Sequence, residues 1–407
     1  MNKKTLFFYF LATTRHMKDI KAVFDIGNDF IKATVFANDN EKEIVLAKQM
    51  EPNQWMRKGK ILDSEAFVQT INGIIENFVK KLWGDFIDEV FVSVSHPEGR
   101  IQRISEQKRI MKETIESEDV EHLSRVIADI ANQDNQQTIK IVPVYWTIDD
   151  EKREKDPIGM QGKKLELTAD VFMLPKNFYN WLLDAFERIG INVTDIIPNI
   201  LGAAEVVLDY DHKDLWSVLI DLGKNQTSYV IYEEWTPLAY GIIPLGWEDV
   251  TKDISIGLQV DIKEAEHIKK TNGVILIEGE AVPQNSSMDI HFLSDIISAR
   301  YEEIFEKIQD HLVKLDRDGR LPGGVFLIGG AAKMSNIDLL AKNIFKLATF
   351  FGKDTKLNMG ELSSNIQIIN VLWTYVRWSK FGEVRRTKFK MNFDVIGKFG
   401  KRVKDLF

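Results

Sequence analysis

A chain of 407 residues exceeds what one hydrophobic core ordinarily supports, so at least two domains are expected, and a peptide hormone or a lone small binding module is excluded. With 44% hydrophobic and 28% charged residues the composition is that of a folded globular protein, and zero cysteines exclude a disulfide scaffold, a thiolate nucleophile and any cysteine-ligated metal site. A net charge of -8 argues against a chain-wide nucleic-acid surface, so no nucleic-acid partner is expected.

At the start, Lys3 and Lys4 precede an apolar run from Leu6 to Ala12 that is too short to span a bilayer and has no small-residue cleavage site after it. Residues 1–16 read as a leader or a mis-assigned start, with Met17 opening the functional chain. Lys21 to Phe36 then reads as strand, tight turn, strand. A strand is expected at Glu89 to Ser95, a helix at Glu118 to Ala131, strands at Lys140 to Thr147 and Leu165 to Leu174, and a helix at Lys176 to Ile189. Ser217 to Tyr232 repeats the opening pattern of an apolar run, Asp-x-Gly, four polar-tending positions and a second β-rich run. Helical stretches follow at Glu248 to Ile256, Lys263 to Lys270 and Ile290 to Leu315, then a strand at Gly324 to Ile328 and a helix at Ile337 to Leu347. This alternation indicates an α/β protein, and the echo indicates two similar lobes, each opening with an aspartate-bearing hairpin.

Asp25-Ile26-Gly27 and Asp221-Leu222-Gly223 carry the chemistry. A glycine turn aims backbone N–H groups into one concavity that suits phosphate oxygens, and an aspartate at the strand end can hold magnesium or its waters. The turn glycines would permit positive φ or close backbone approach. A third element, Phe326-Leu327-Ile328-Gly329-Gly330-Ala331-Ala332, runs from a buried-looking strand into paired glycines, where a flat ring or a phosphate can approach the backbone. A P-loop is absent, as is Gly-x-Gly-x-x-Gly. The seven histidines are scattered without metal-ligand spacing, and His96 reads as structural.

Two Asp-x-Gly hairpins and a Gly-Gly strand end are together similar to the phosphate and adenosine motifs of the actin and sugar-kinase superfamily. Within it the chain resembles the bacterial cell-division actin family FtsA. The segment Lys155-Asp156-Pro157-Ile158-Gly159-Met160-Gln161-Gly162-Lys163-Lys164-Leu165-Glu166 looks like part of that family's inserted subdomain. Ile243-Pro244-Leu245-Gly246, Val250 to Leu258, Glu264 to Lys270 and Ala299 to Ile304 follow in the expected order. The resemblance implies an α/β, actin-like two-lobed ATPase fold with an FtsA-type inserted subdomain and a C-terminal amphipathic helix. The expected organisation is a first lobe at 17–97 and 181–215, an insert at 98–180, a second lobe at 216–250 and 321–380 with an outer subdomain at 251–320, and a tail at 381–407.

The resemblance also implies ATP and Mg2+ as ligands. Asp25, Gly27, Asn28 and Lys32 would lie at the first phosphate hairpin, Asp221, Gly223, Lys224 and Thr227 at the second, and Gly329 and Gly330 against the adenosine. Asp25 and Asp221 would serve the metal, Glu266 and Lys269 the ribose and adenine, and Arg300 the C-terminal peptide of the tubulin-like division protein FtsZ. Two departures stand out. Gly223-Lys224-Asn225-Gln226-Thr227-Ser228 lacks two of the family's usual glycines and its trailing aspartate, and Asn28-Asp29 replaces a small hydroxyl residue. A carboxylate about 5 Å from a phosphate charge costs on the order of 3 kcal/mol at an effective dielectric near 20, which Lys224 could partly offset. ATP is therefore expected as a structural and assembly ligand with slow turnover or none, and no catalytic residue is assigned.

From Glu383 to Phe407 eight basic residues face three acidic ones, a net charge of +5 on an otherwise acidic chain. At about 100° per residue, Phe393, Val395, Ile396, Phe399, Val403, Leu406 and Phe407 fall on one half of a helical wheel. Lys398, Lys401, Arg402 and Lys404 fall on the other with Asp394 and Asp405. This stripe reads as an amphipathic anchor to anionic inner-leaflet lipid, with a partner groove or self-docking as the alternative. The expected function is an ATP-binding division actin that polymerises with copies of itself on the cytoplasmic membrane at the septum, tethers FtsZ filaments there and receives other division proteins on its inserted subdomain. A PilM-like pilus-assembly actin is the alternative, and a sugar or acetate kinase of the superfamily a more distant one.

Overall fold

The computed structural model describes residues 20–352 apart from 40–41, 83–86, 88, 133–134 and 278–288. β1 (Ile20–Ile26), β2 (Phe30–Asp39) and β3 (Lys42–Pro52) form an antiparallel meander. The short ribbon of β4 (Met56–Arg57) and β5 (Lys60–Ile61) leads into α1 (Ser64–Lys81), where the Asp63 carboxylate accepts the Ala66 N–H at 3.0 Å as an N-cap. Phe67, Ile71, Ile74 and Phe78 recur at helical spacing on α1 and are fully buried against the sheet. Each such side chain contributes roughly 1.5–3 kcal/mol of burial. β6 (Glu89–Val94) then pairs in parallel with β1.

The chain leaves this lobe to build a second sheet from β7 (Arg100–Arg109), α2 (Ser117–Ala131), β8 (Gln136–Ile148), β9 (Lys152–Glu154) and β10 (Lys164–Pro175) in the order β7-β10-β8-β9. Trp146, Leu165, Leu167 and Val171 pack there against Leu123 and Ile127 of α2. Asp170 is fully buried, and its charge is met by a bidentate Arg103 at 2.8 and 2.9 Å. The end of β10 and α3 (Lys176–Glu187) return to the first core through Leu174, Phe178, Leu182 and Phe186. β11 (Val193–Pro198) completes the first sheet, whose order is β11-β6-β1-β2-β3.

α4 (Asn199–Val207) and α5 (Tyr210–Asp214) cross to the second lobe. Its sheet comprises β12 (Ser217–Leu222), β13 (Thr227–Glu233) and β14 (Thr236–Ile243). After α6 (Trp247–Leu258), α7 (Ile262–Asn272) and α8 (Ile290–Lys314), β15 (Gly324–Ile328), α9 (Ile337–Phe345) and β16 (Thr349–Phe351) follow. The order β14-β13-β12-β15-β16 repeats the first sheet: an antiparallel meander on one side, parallel strands on the other. The two-lobe expectation drawn from the repeated Asp-x-Gly pattern thus has a counterpart in strand order. α4 carries Ile200, Ala203, Ala204 and Val207 into a shared core with Leu219, Val230 and Phe326, which joins the lobes on the face away from α6 and α8. Among the described residues no helix is long and apolar enough to cross a membrane.

Candidate functional site

The two hairpins meet at a cleft between the lobes, and their geometry is the same in each. The Gly27 N–H donates to the Phe30 carbonyl at 3.1 Å, and the Gly223 N–H to the Gln226 carbonyl at 3.1 Å. Asp25 pairs across its hairpin with Lys32, and Asp221 with Ser228. The glycines serve close approach rather than positive φ: a Cβ at Gly223 would stand 2.6 Å from the Gln226 carbonyl oxygen. Gly329, at the end of β15, has φ +96° and lies against the second hairpin, so that any side chain would meet Asp221 Oδ1 and the Leu222 carbonyl at 2.5 Å.

The cleft is lined by Asp25, Gly27, Asn28, Lys32, Asp221, Gly223, Lys224, Gly329 and Gly330. The buried Asp25 accepts from Ser93 Oγ at 3.2 Å and pairs with Lys32 at 3.3 Å. Burial pushes the Asp221 carboxyl up to about 6, with Lys32 opposing the rise and the negative charge of Asp25 adding to it. Two facing carboxylates, one held against its preference for protonation, make an environment that a divalent cation would relieve. Among the described residues no group of three or more His, Cys, Asp or Glu forms a complete metal cage. Magnesium commonly takes one or two carboxylates and completes its shell with phosphate oxygens and water. The buried Asn225 Oδ1 and Gln226 Oε1 lack hydrogen-bond partners and are acceptors suited to metal-bound water. The donor set therefore fits a magnesium ion that arrives with its phosphates.

Three expected residues stand elsewhere. Thr227 is fully buried with its hydroxyl donating to the Leu245 carbonyl at 3.0 Å, because strand alternation turns it to the face opposite Asp221; Ser228 lines the cleft instead. Glu266 and Lys269 form a knot under the first turn of α6. Lys269 Nζ lies 2.7 Å from Glu266 Oε2 and donates to the Trp247 carbonyl at 3.0 Å, while the Thr251 hydroxyl donates to Glu266 at 2.7 Å. Neither side chain lines the cleft. Ser95, Asn199, Gln226 and Trp247 were not expected there. Ser95, the last residue of the predicted strand and one past the end of β6, carried the signal that could have found it. His96 is buried, its ring against Phe178 and Nε2 3.2 Å from the Gly59 carbonyl, and burial lowers its pKa; its role is packing.

The departures at Asp29 and Lys224 compensate each other. Lys224 Nζ meets Asp29 Oδ1 at 2.7 Å from one hairpin to the other. Gln226 also donates to the Ser95 hydroxyl, Arg57 pairs with Glu248, and Lys58 donates to the Pro244 carbonyl at 2.6 Å. Both members of the Lys224–Asp29 pair are about one third exposed, so Lys224→Ala should lower the unfolding free energy by less than about 1 kcal/mol in urea titration. Farther out on α6 and α8, Arg300 grips Asp253 with two bonds at 2.7 and 3.0 Å and also pairs with Glu303. Ile256 stands 76% exposed nearby on α6, with Phe292 at 45% on α8. The candidate membrane residues Phe393 to Phe407 lie outside the described residues.

A family model described as cell division protein FtsA matches residues 218–367, and one described as the SHS2 domain inserted in FtsA matches residues 98–173. Together they take in more than half of the chain, including the second hairpin and the inserted sheet. The chain belongs to the FtsA family. It is 28% identical to the FtsA of Bacillus subtilis strain 168 over 335 residues, 79% of this chain and 76% of that protein. Identity to the FtsA of Pseudomonas aeruginosa PAO1 is 26% over 341 residues, 81% of each. With the FtsA of Escherichia coli K12 it is 23% over 315 residues, 72% of this chain and 74% of that one. Among solved structures, a PilM–PilN type IV pilus biogenesis complex aligns with a TM-score of 0.62 at 16% identity, over 88% of this chain and 98% of that one. MreB5 of Spiroplasma citri bound to ADP aligns at 0.51 and 15% identity, over 90% and 99%. These likenesses show the actin-like ATPase fold, and the sheet built from β7 to β10 falls almost wholly within the residues matched by the model of the SHS2 domain inserted in FtsA.

Proposed function

We propose that this FtsA-family chain binds ATP with magnesium in the interlobe cleft, polymerises on the cytoplasmic face of the membrane at the division septum, and tethers FtsZ filaments there. The observation that carries the reading is the pair of equivalent hairpins, each bringing an aspartate and a glycine turn to one cleft closed by Gly329. MreB5 of Spiroplasma citri, solved with ADP and with AMPPNP, supports a nucleotide in a fold of this kind. Asp25 and Asp221 hold the metal, which neutralises phosphate charge. Lys32 and Lys224 contribute positive charge, and the glycine turns admit the phosphates to the backbone. ATP acts as an assembly ligand with slow turnover, since the second hairpin lacks two of the family's usual glycines and carries Ser228 in place of the trailing aspartate.

Arg300, with the exposed Ile256 and Phe292, marks the face proposed for the FtsZ C-terminal peptide, and the inserted sheet the face for other division proteins. The tail from Phe393 to Phe407 supplies the lipid contact through Phe393, Ile396, Phe399, Val403, Leu406 and Phe407, with Lys398, Lys401 and Arg402 toward anionic headgroups. One such helix binds reversibly and a filament gains avidity. Calorimetry with MgATP should give saturable heat, and pelleting with anionic liposomes should fall at least about tenfold on deleting 393–407. No heat with nucleotide would end the cleft reading, and unchanged pelleting the membrane reading. Binding of an FtsZ C-terminal peptide separates this function from that of a pilus-assembly actin.

A further inference from the structure

Trp247 is not among the residues that the phosphate motifs account for, yet it stands inside the cleft. It is the first residue of α6 and is tied to the second hairpin by its own N–H, which donates to the Gly223 carbonyl at 3.2 Å. Glu248, next on the helix, donates to the Lys224 carbonyl at 3.0 Å. Gly246 admits this contact because a Cβ there would lie 2.3 Å from the Lys224 carbonyl oxygen. The indole is therefore fixed to the element that would hold phosphates. Its other neighbour is the paired-glycine turn: a side chain at Gly330 would come within 3.8 Å of Trp247 Nε1.

The ring also has a defined electrostatic backing. Lys269 Nζ lies 4.0 Å from its centroid, in cation–π range. That ammonium is buried and engaged with the Trp247 carbonyl, Thr251 and Glu266, so it stays with the protein and does not serve a ligand. Lys224 Nζ is 5.7 Å from the same centroid and marks the phosphate end. Trp247 itself is only partly buried and lines the cleft, which leaves aromatic surface facing the space between hairpin and glycine turn.

We infer that Trp247 is the base-stacking residue of this cleft, taking the flat ring of a purine nucleoside triphosphate on its exposed surface while Lys269 supports the indole from within the protein. The inference rests on the nucleotide reading above and adds the residue that distinguishes a nucleotide from a bare polyphosphate. Base–aromatic stacking measured by alanine substitution is worth about 1–3 kcal/mol per base, about 5- to 150-fold in affinity.

The test compares MgATP with magnesium tripolyphosphate by calorimetry on the full chain and its Trp247→Ala and Trp247→Phe variants. Trp247→Ala should weaken MgATP by about tenfold or more and tripolyphosphate by less than about twofold, and Trp247→Phe should stay within about threefold of wild type for both. An equal loss for both ligands, no loss, or tighter ATP binding by the alanine variant would overturn the role of Trp247. Should the alanine variant fail to fold, tryptophan emission decides. ATP should quench wild type by an amount missing in Trp247→Phe, tripolyphosphate should not, and equal quenching in the two proteins would overturn the inference. A wild type that binds tripolyphosphate but not ATP also refutes the stacking role, whereas one that binds neither refutes the nucleotide reading itself.

Discussion

Gly329→Ala should destabilise the protein by at least about 3 kcal/mol and abolish MgATP binding together. Two costs combine. At φ +96° a residue with a Cβ carries about 1–3 kcal/mol of backbone strain. The new methyl group would also lie 2.5 Å from the Leu222 carbonyl oxygen and from Asp221 Oδ1, and the first of these is backbone that cannot turn aside. The second hairpin must then move away from β15, which widens the cleft where the phosphates are proposed to sit. Urea unfolding reads the first effect and calorimetry the second. Gly159→Ala is the control, since Gly159 also has positive φ but nothing within 4 Å of its Cβ position. It should lose only the strain cost, and an equal loss at both positions would show that the packing against Asp221 is immaterial.

Asp221→Asn should do the reverse to stability while still removing the metal-dependent ligand. The carboxyl has a pKa of about 6 in the folded chain against an ordinary 3.8, so between about pH 4 and 6 the folded state holds more proton than the unfolded one. Stability therefore falls as pH rises through that window, by up to about 3 kcal/mol, and the penalty persists at neutral pH. The amide carries no such charge. The variant should match wild type near pH 4 and exceed it by up to about 3 kcal/mol above pH 6, read from urea midpoints across that range. MgATP should raise the wild-type midpoint at pH 7.5 and leave that of the variant unmoved. A variant no more stable than wild type at pH 7.5 would mean that Lys32 already satisfies the charge.

The stability lost at Asp221 and its use for a cation have one origin. Asp25 has Ser93 and Lys32 as direct partners, whereas the corresponding position beside Asp221 is Ile328 on the parallel strand and Ser228 across the hairpin. The second lobe thus supplies the less compensated carboxylate, and the first supplies the lysine that tempers it.

Much of this was legible in the order of residues alone, because it depends on short-range pattern. The repeated Asp-x-Gly between apolar runs specified two hairpins, and periodicity located α2, α3, α6, α7, α8 and α9 to within a few residues. Periodicity marks which face of a segment is apolar, but it does not name the neighbour that covers it. α1, though strongly amphipathic, carries no chemical motif and is not among the predicted elements. Thr227 and Ser228 differ by one position in a strand, so which of them faces the cleft depended on register with Asp221, a property of two strands and not of one. Glu266 and Lys269 lie one helical turn apart, and that spacing gave no sign that Thr251 and the Trp247 carbonyl would bind them inward.

The amino-acid order by itself determined the lobed α/β architecture and where its glycine turns and aspartates fall, since these follow from local geometry that each residue type permits or forbids. Tertiary structure alone decided that Asp29 and Lys224, 195 positions apart, neutralise each other across the cleft, and that Trp247 stands between a hairpin and a glycine turn. Such contacts form only when distant segments fold to within a few ångströms, where charge and ring surface act strongly and no local pattern records them.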